Sequence, residues 1–411
     1  MILSQKIRIY PNNKQRTFIE KSFGVARFTY NWILEQYNKN SIDFDIYKLK
    51  KKFNALKKVE FPFVYEMSKY VSQEPFMDFK DSLRSIKSFK MNGNMLHFKS
   101  KKDTFQSFYI GGDQMKMIKK EGVDKDYIKL PKMLPIKLNE HIRFAGHITG
   151  CRITRKFDKY YVSINVEVDE TIKSINNDNY DAIGLDLGIK NNIALSNGLI
   201  VNYPESINKQ ISKIIKTQKV LSRKVHPRTK DDPKIFSKNY FKQKRKLDNQ
   251  LERLDNIKRD FEHKVSYILT NSYRYICIED LSIQKMKGDR NVARRLQKLG
   301  LYRFRKELEY KSQLYGCQII IADKYYPSSK TCSFCGNKVE ILKLNTRTYK
   351  CFKCGLVIDR DINAAINLKN LVGRVTSELT PLDFNILIKK FKTSNIDVFK
   401  IEEGKQQKAC L

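Results

Sequence analysis

The chain has 411 residues and carries 80 Lys and Arg against 44 Asp and Glu, a formal net charge of +36. Solubility asks for a net charge of only about 2–8 on a small domain, so the surplus points to a polyanion, whose condensed counterions are released as its phosphates are neutralised. The basic residues run along the whole chain, and no apolar stretch approaches the roughly 20 residues a membrane span requires, which leaves nucleic acid as the partner class and no membrane.

In chain order, Met1 to Tyr10 alternates apolar and polar residues like a strand, without the apolar run of a secretory signal. Pro11-Asn12-Asn13 ends it, and from Lys14 the period turns helical, with Phe18, Ile19, Phe23, Ala26, Tyr30 and Ile33 on one broad apolar side. Basic and aromatic helical text continues to about Phe89, with breaks expected at Pro62 and Pro75. The period then changes to two. Segments around Tyr127–Leu130 and Ile142–Ile153, and the run Tyr160–Val168, read as strands of an antiparallel barrel to which the first strand can belong. Residues 172–179, with Asn176-Asn177-Asp178-Asn179, read as a linker.

Beyond it, Asp181–Ile189 reads as a strand, followed by the apolar runs Asn192–Ser196 and Leu199–Asn202. Asn197-Gly198 between these runs predicts a hairpin whose two turn residues both tolerate positive φ. Leu247, Leu251, Leu254, Phe261, Val265 and Ile268 step by three or four along a long helix. A short strand, Tyr275–Glu279, a helix from about Val292 to Leu314 and the strand Gln318–Ala322 follow, an alternation that argues for a parallel extension of the sheet. The text beyond about Leu371 carries mixed signals and reads as a partly disordered tail.

Two constellations carry chemistry. Cys332-Ser-Phe-Cys335 and Cys351-Phe-Lys-Cys354 form two C-x-x-C knuckles, each followed by a glycine, Gly336 and Gly355, that lets the backbone amides turn toward the sulfurs. Four soft thiolates at this spacing predict a closed, structural zinc site and suit a reducing compartment. Cys151, Cys277 and Cys317 read as buried small hydrophobes, and Cys410 is likewise unpaired in sequence.

The second constellation is acidic. Asp186 is the only charge inside the run Ala182–Ile189, Glu279 ends the run Tyr275–Ile278, and Asp361 stands at the start of a helical segment. A lone acid in such a place is usually a cap or a solvated edge. Three of them at the margins of one sheet domain would repel unless cations neutralised them. Two divalent ions about 4 Å apart serve in-line phosphodiester hydrolysis, and hard oxygen ligands favour Mg2+ or Mn2+. The histidines His97, His141, His147, His226 and His263 show no metal-ligand spacing.

With these residues in hand, the sequence resembles the TnpB proteins of insertion-sequence transposons, relatives of the type V CRISPR effectors. The resemblance is carried by Tyr10-Pro-Asn-Asn-Lys14, Phe28-Thr-Tyr-Asn-Trp32, Phe98-Lys-Ser-Lys-Lys102, Gly184-Leu-Asp-Leu-Gly-Ile189 and Arg259-Asp-Phe-Glu-His-Lys264. Ile278-Glu-Asp-Leu281, Tyr326-Pro-Ser-Ser-Lys-Thr-Cys-Ser333 and Asp359-Arg-Asp-Ile-Asn-Ala-Ala-Ile-Asn367 continue it in order. His226 to Ile235, with two prolines, departs from the compact basic turn of relatives and bears on local RNA contacts only.

The resemblance implies a multidomain α+β chain. A split, wedge-like β-barrel (1–13 and 95–171) would hold an inserted helical recognition domain (14–94), joined by a linker (172–180) to an RNase H-like (RuvC) α/β nuclease domain (181–325 and 357–372). A zinc ribbon (326–356) would be inserted in the latter, and a tail (373–411) would follow. It implies an RNA-guided DNA endonuclease with a catalytic, metal-binding triad of Asp186, Glu279 and Asp361, and structural Zn2+ at Cys332, Cys335, Cys351 and Cys354. The partners would be a guide RNA and a target DNA, and the protein a monomer of the prokaryotic cytoplasm, associated with the nucleoid. Lys99, Lys101 and Lys102 are its candidate phosphate contacts, and Tyr47 and Gln73 its candidate readers of a target-adjacent motif.

Three other classes share parts of this pattern. An RNA-guided repressor would lack the acids. A guide-independent RNase H-superfamily nuclease or transposase would lack the helical and barrel region before Asp181. A compact CRISPR effector differs only in genomic context.

Overall fold

The computed structural model describes residues 1–39, 44–88, 96–119, 126–168, 182–187, 192–227, 235–280, 301–323, 325–340, 342, 346–372 and 384–400. The chain divides into two compact units, Met1–Glu170 and Thr171–Leu411. The expected linker, the helix start at Val292, the pair Gly188-Ile189 and Cys410 lie outside the described residues.

In the first unit, strand β1 (Ile2–Ile9) is followed by helices α1 (Asn13–Lys39), α2 (Ile46–Leu56) and α3 (Lys69–Ser88). The chain then returns to sheet in β2 (Phe105–Gly111), β3 (Lys116–Lys119), β4 (Asp126–Lys129), β5 (Ile136–Lys137), β6 (His147–Lys156) and β7 (Lys159–Glu167). A four-stranded sheet has the order β1-β7-β6-β2, and a second sheet the order β3-β4-β5. An isolated bridge, Ile9 to Leu138, ties the two. The first strand does pair with a late one, Ile2 opposite Glu167 through Ile9 opposite Tyr160, because its alternation buries Leu3, Ile7 and Ile9 on one face. Residues 142–146 are not strand; β6 begins at His147.

Pro62 opens a short 3-10 turn, as a residue without an amide donor can. Pro75, expected to break a helix, instead lies inside α3. The helix runs through it because Val71, Phe76 and Phe79 on the same element are buried, and that burial outweighs a cost of about 3 kcal/mol for the interior proline. The aromatic text is core here: Phe53 packs against Trp32, Phe61 and Phe76 with ring centroids 4.9–5.7 Å apart.

The second unit is built on a six-stranded sheet. Its strands are β8 (Ala182–Leu187), β9 (Asn192–Leu195), β10 (Leu199–Asn202), β11 (Tyr275–Glu279), β12 (Gln318–Ala322) and, near the end, β15 (Val398–Lys400). The order is β12-β11-β8-β9-β10-β15. β8, β9 and β10 meander antiparallel, while β11 pairs parallel with both β8 and β12. The hairpin between β9 and β10 exists, but only Gly198 takes positive φ, at 85°. Its amide closes the turn on the Leu195 carbonyl at 3.0 Å, so a single left-handed residue suffices where two were expected.

Between the strands lie α4 (Glu205–Ser222), α5 (Lys238–Thr270) and α6 (Leu301–Tyr315). Ile183, Leu185 and Leu187 of β8 pack with Phe261, Val265 and Ile268 of α5 and Phe304 and Leu308 of α6. Arg303 of α6 clamps onto the fully buried Glu262 and also reaches Asp255, both on α5, so that buried carboxylate is paired. The tail expectation is corrected in part. Phe384–Thr393 is a helix with Leu387 and Phe391 buried in this same core, and β15 closes the sheet edge against β10. Amphipathic burial orders those residues where local composition gave no clear period. Among the described residues no helix is long and apolar enough to cross a membrane.

Candidate functional site

The other face of the sheet carries the acids. Ala182, Gly184 and Asp186 alternate with the core residues of β8, so they point to the opposite side. The parallel register, Tyr275 opposite Ala182 through Ile278 opposite Leu185, sets Glu279 one step further along, beside Asp186. Both stand at the C-terminal ends of their strands, where α/β sheets present ligand sites.

The third acid arrives on a helix. The ribbon hairpin β13 (Thr348–Lys350) and β14 (Val357–Asp359) runs directly into the helix Arg360–Lys369, here called α7; the helix Phe384–Thr393 is α8. α7 lies close on β8 at Gly184, where an added Cβ would meet the Ala365 carbonyl oxygen at 1.9 Å and the Lys369 amide at 2.6 Å. Only glycine admits the helix that near. With residue 365 over Gly184, the first turn of α7 and its Asp361 face Asp186.

The electrostatics agree with that placement. The Asp186 carboxyl is held well above the usual carboxylate range, first by burial among its neighbours' atoms and then by the negative charges of Glu279 and Asp361. Arg360 works against the shift. The two acids of Asp359-Arg360-Asp361 divide their tasks. Asp359 caps α7, its Oδ1 accepting from the amides of Asp361 at 2.9 Å and Ile362 at 3.2 Å. Asp361 is turned to Arg347, 3.1 Å away. Glu279 accepts a short hydrogen bond from the Ser328 hydroxyl. Neither Arg347 nor Ser328 stands out as a site residue in the sequence; Ser328 lies in the run Tyr326–Ser333 that carries part of the resemblance, which could have marked it, and Arg347 lies in no such run.

The thiols form a separate centre. Sγ of Cys332 is 3.6 Å from that of Cys354, and Cys335 is 3.6 Å from Cys351, with all four within 4.8 Å of one another. Tetrahedral thiolates 2.3 Å from a zinc would stand about 3.8 Å apart. The two knuckles repeat one design: the Gly336 amide donates to Cys332 O at 3.0 Å and the Gly355 amide to Cys351 O at 2.9 Å, with φ of 73° and 76° at the two glycines. Among the described residues this is the one group of three or more ligand atoms already gathered to that distance; the three carboxylates are not.

Two asparagines of α7 join the centres. Asn367 donates to the carbonyls of Ser328 at 2.7 Å and Thr331 at 2.6 Å. Asn363 donates to Thr331 O at 2.8 Å and accepts from the Ser333 amide at 3.0 Å. Both are buried, four residues apart on one helix face, and grip the segment that carries Ser328 and Cys332.

The remaining candidates sit in the first unit. The Lys99 ammonium lies 3.7 Å over the Tyr30 ring, with its backbone N–H and C=O both bonded to Asn31, so it is committed to α1. Lys101 and Lys102 are exposed. Tyr47, at the start of α2, accepts from Lys80 of α3 at 2.8 Å. Gln73 is seven residues, two turns, before Lys80 on the same helix. Cys151, Cys277 and Cys317 are buried free thiols, as small hydrophobes are.

The chain is thus a multidomain protein with an α/β unit that holds a four-cysteine centre. Residues 163–290 match the IS605 OrfB family model described as "Probable transposase", residues 302–368 a Cas12f1-like TNB domain, and residues 1–41 an IS605 OrfB helix-turn-helix domain. That last description meets, in this chain, one strand and one long helix. A Streptomyces pristinaespiralis protein named "Putative RNA-guided DNA endonuclease" is 26% identical over 384 residues, 88% of this chain and 87% of its own length. The Escherichia coli K12 protein named "Putative RNA-guided DNA endonuclease InsQ" is also 26% identical, over 88% of this chain and 90% of its own length. The fold is similar to that of Cas12f1 solved with guide RNA and target DNA, with a TM-score of 0.54 at 14% identity over 90% of this chain and 99% of that one. In sequence the chain is thus similar to the OrfB proteins of IS605-type insertion sequences and to proteins named RNA-guided DNA endonuclease.

Proposed function

We propose that this protein is an RNA-guided DNA endonuclease that hydrolyses phosphodiesters at an RNase H-like (RuvC-type) site of Asp186, Glu279 and Asp361. The observation that carries the reading is the gathering of three acids on one face of the sheet, Glu279 and Asp361 coming to Asp186 from 93 and 175 residues away. Burial and those two acids raise the Asp186 carboxyl. An unneutralised cluster of that kind costs stability, and hard divalent cations relieve it. The donor set, carboxylate oxygens without a thiolate or imidazole, fits Mg2+ or Mn2+. Divalent ions bound there would activate the attacking water and stabilise the leaving oxygen. Asp186, Glu279 and Asp361 would hold them. Ser328 engages one oxygen of Glu279, Oε1, and Arg347 one oxygen of Asp361, Oδ2.

The four thiols fit a structural zinc: soft, closed and tied to α7 by Asn363 and Asn367. The net charge of +36 and the names of the relatives support a guide RNA and a DNA target as partners. The IS605 matches over residues 1–41 and 163–290 favour a transposon protein over a CRISPR effector. In this reading Lys101, Lys102, Tyr47, Lys80 and Gln73 belong to nucleic-acid-facing surfaces of the first unit, and the protein works as a monomer in a prokaryotic cytoplasm. The test is reconstitution on a matched plasmid with Mg2+. Cutting that needs the co-purifying RNA supports the reading; equal cutting after complete ribonuclease treatment overturns it.

A further inference from the structure

Helices α4 and α5 leave a groove of about 510 Å3 between them, lined by Gln210 and Lys213 of α4 and by Lys242, Arg245, Lys246, Asn249, Gln250 and Arg253 of α5. Five of the eight lining residues are cations and none is acidic. The α5 contributors fall at intervals of three and four residues, a single stripe about 16 Å long at 1.5 Å per residue. The groove is a fixed feature of the unit. Gln210 donates to the Gln250 carbonyl at 3.0 Å and Gln243 to the Thr217 carbonyl at 3.4 Å, which hold the two helices at that spacing.

A second observation lies at the α5 N-terminal end of the same stripe. His226 stacks on Tyr240 with centroids 5.1 Å apart and planes at 22°, and Phe236, Tyr240 and Phe241 pack on one another at 5.1–5.7 Å. Phe241 and Phe236 are exposed, 55% and 40%, and Phe241 adjoins Lys242 of the groove. A basic groove that follows a backbone and opens onto ring faces that take bases is the arrangement used for nucleic acid with unpaired bases. Target duplex keeps its bases stacked; a folded RNA offers a phosphate backbone together with splayed bases at loops and ends.

We propose that the α4–α5 groove is a binding site for folded RNA. Lys213, Lys242, Arg245, Lys246 and Arg253 hold its phosphates, and the Phe236–Phe241 ring cluster stacks an unpaired base. The proposal rests on the RNA-guided reading and names a site for that RNA away from the acids.

The test uses the full chain and the RNA that co-purifies with the wild type, extracted, refolded and labelled, beside a 30-base-pair DNA duplex of unrelated sequence. Replacing Arg245, Lys246 and Arg253 with Gln is expected to weaken RNA binding at least tenfold at physiological salt. It should also flatten the salt dependence by about 0.7–0.9 log unit per log[salt] for each phosphate no longer neutralised, with duplex binding within twofold of wild type. Arg245→Lys with Arg253→Lys keeps the charge and should keep the slope. Phe241→Ala is expected to weaken RNA binding about fivefold or more with the slope unchanged, because stacking releases no counterions. Unchanged zinc content and melting of each variant establish the fold. RNA affinity and slope unchanged in the Gln variant overturn the proposal, as does an equal loss for RNA and duplex, which would mark a generic polyanion surface. Wild-type protein that binds no RNA would instead overturn the guide reading itself.

Discussion

The cysteine centre and the acidic centre stand on either side of one helix and are built in opposite ways. Each pair of thiols comes from a single tight turn, and the four sulfurs already stand within 4.8 Å of one another. The acids come from β8, β11 and α7, and what brings them near is the register of a parallel sheet and the close approach of α7 over Gly184. Two of them are meanwhile held by protein partners, Ser328 and Arg347. A soft site made of local turns is gathered by its own backbone. The acids, drawn from distant elements, are not gathered to ligand distance among the described residues.

The sharpest break in this comparison is Asp186→Ala. With Asp186 a metal ligand as proposed, its removal forfeits several kcal/mol of transition-state stabilisation, so plasmid cutting should fall at least about a thousandfold. RNA binding and target shift should stay within about twofold. Asp361→Ala should match it, whereas Asp359→Ala removes a helix cap, costs about 1 kcal/mol of stability and should cut more slowly without being dead. Robust cutting by the Asp186 variant would mean the site is elsewhere.

Cys332→Ser attacks the other centre. Metal analysis should drop from one zinc per chain to well below one, and melting should fall by several degrees, since metal binding there is folding free energy. Cutting is lost with the fold and not with the chemistry, so lower temperature should restore part of it. No zinc in the wild type would refute this.

Much of both centres was legible in the sequence, for different reasons. The thiols were legible because C-x-x-C spacing and a following glycine are local facts. The strands β8, β11 and β12 were legible from short apolar runs, and the acids from standing at their margins. What was not legible depended on packing. Pro75 reads as a break until the burial of Phe76 and Phe79 is known. Gly198 alone makes the hairpin turn that Asn197-Gly198 suggested for two residues. Asn363 and Asn367 look like polar residues on a helix; only the carbonyls of Ser328 and Thr331 opposite them give them a task. The Leu387–Phe391 helix reads as tail until the core it fills is seen.

Those asparagines give the next test. Asn367→Ala leaves the buried carbonyls of Ser328 and Thr331 one donor short and should cost about 1–3 kcal/mol of stability, measured by urea unfolding. It should slow cutting while zinc stays bound, because the link between the centres is weakened and neither ligand set is touched. Loss of zinc in this variant would show that the thiols depend on α7 more than their own turns suggest.

The smallest effect is a stability change with pH. The Asp186 carboxyl in the folded state is raised above its unfolded value. Folding therefore favours its protonated form, and that contribution is lost as pH rises from the ordinary carboxylate range through the raised value. Metal-free protein should melt lower as the pH climbs through that window, Mg2+ should reverse the loss, and Asp186→Asn should melt higher than wild type without metal. A metal-free wild type and Asn variant with the same pH profile would remove the electrostatic argument for the site.

The pairing of β1 with β7 sets an order on synthesis. Ile9 finds its partner at Tyr160, so the strand has left the ribosome long before its neighbour exists. At about 5–20 residues per second the 150 intervening residues take roughly 8–30 s, during which α1, α2 and α3 can form while Leu3, Ile7 and Ile9 have no sheet to join. A nascent chain with so basic a sequence spends that interval beside RNA, and the first unit closes only when the last long strand of its sheet emerges.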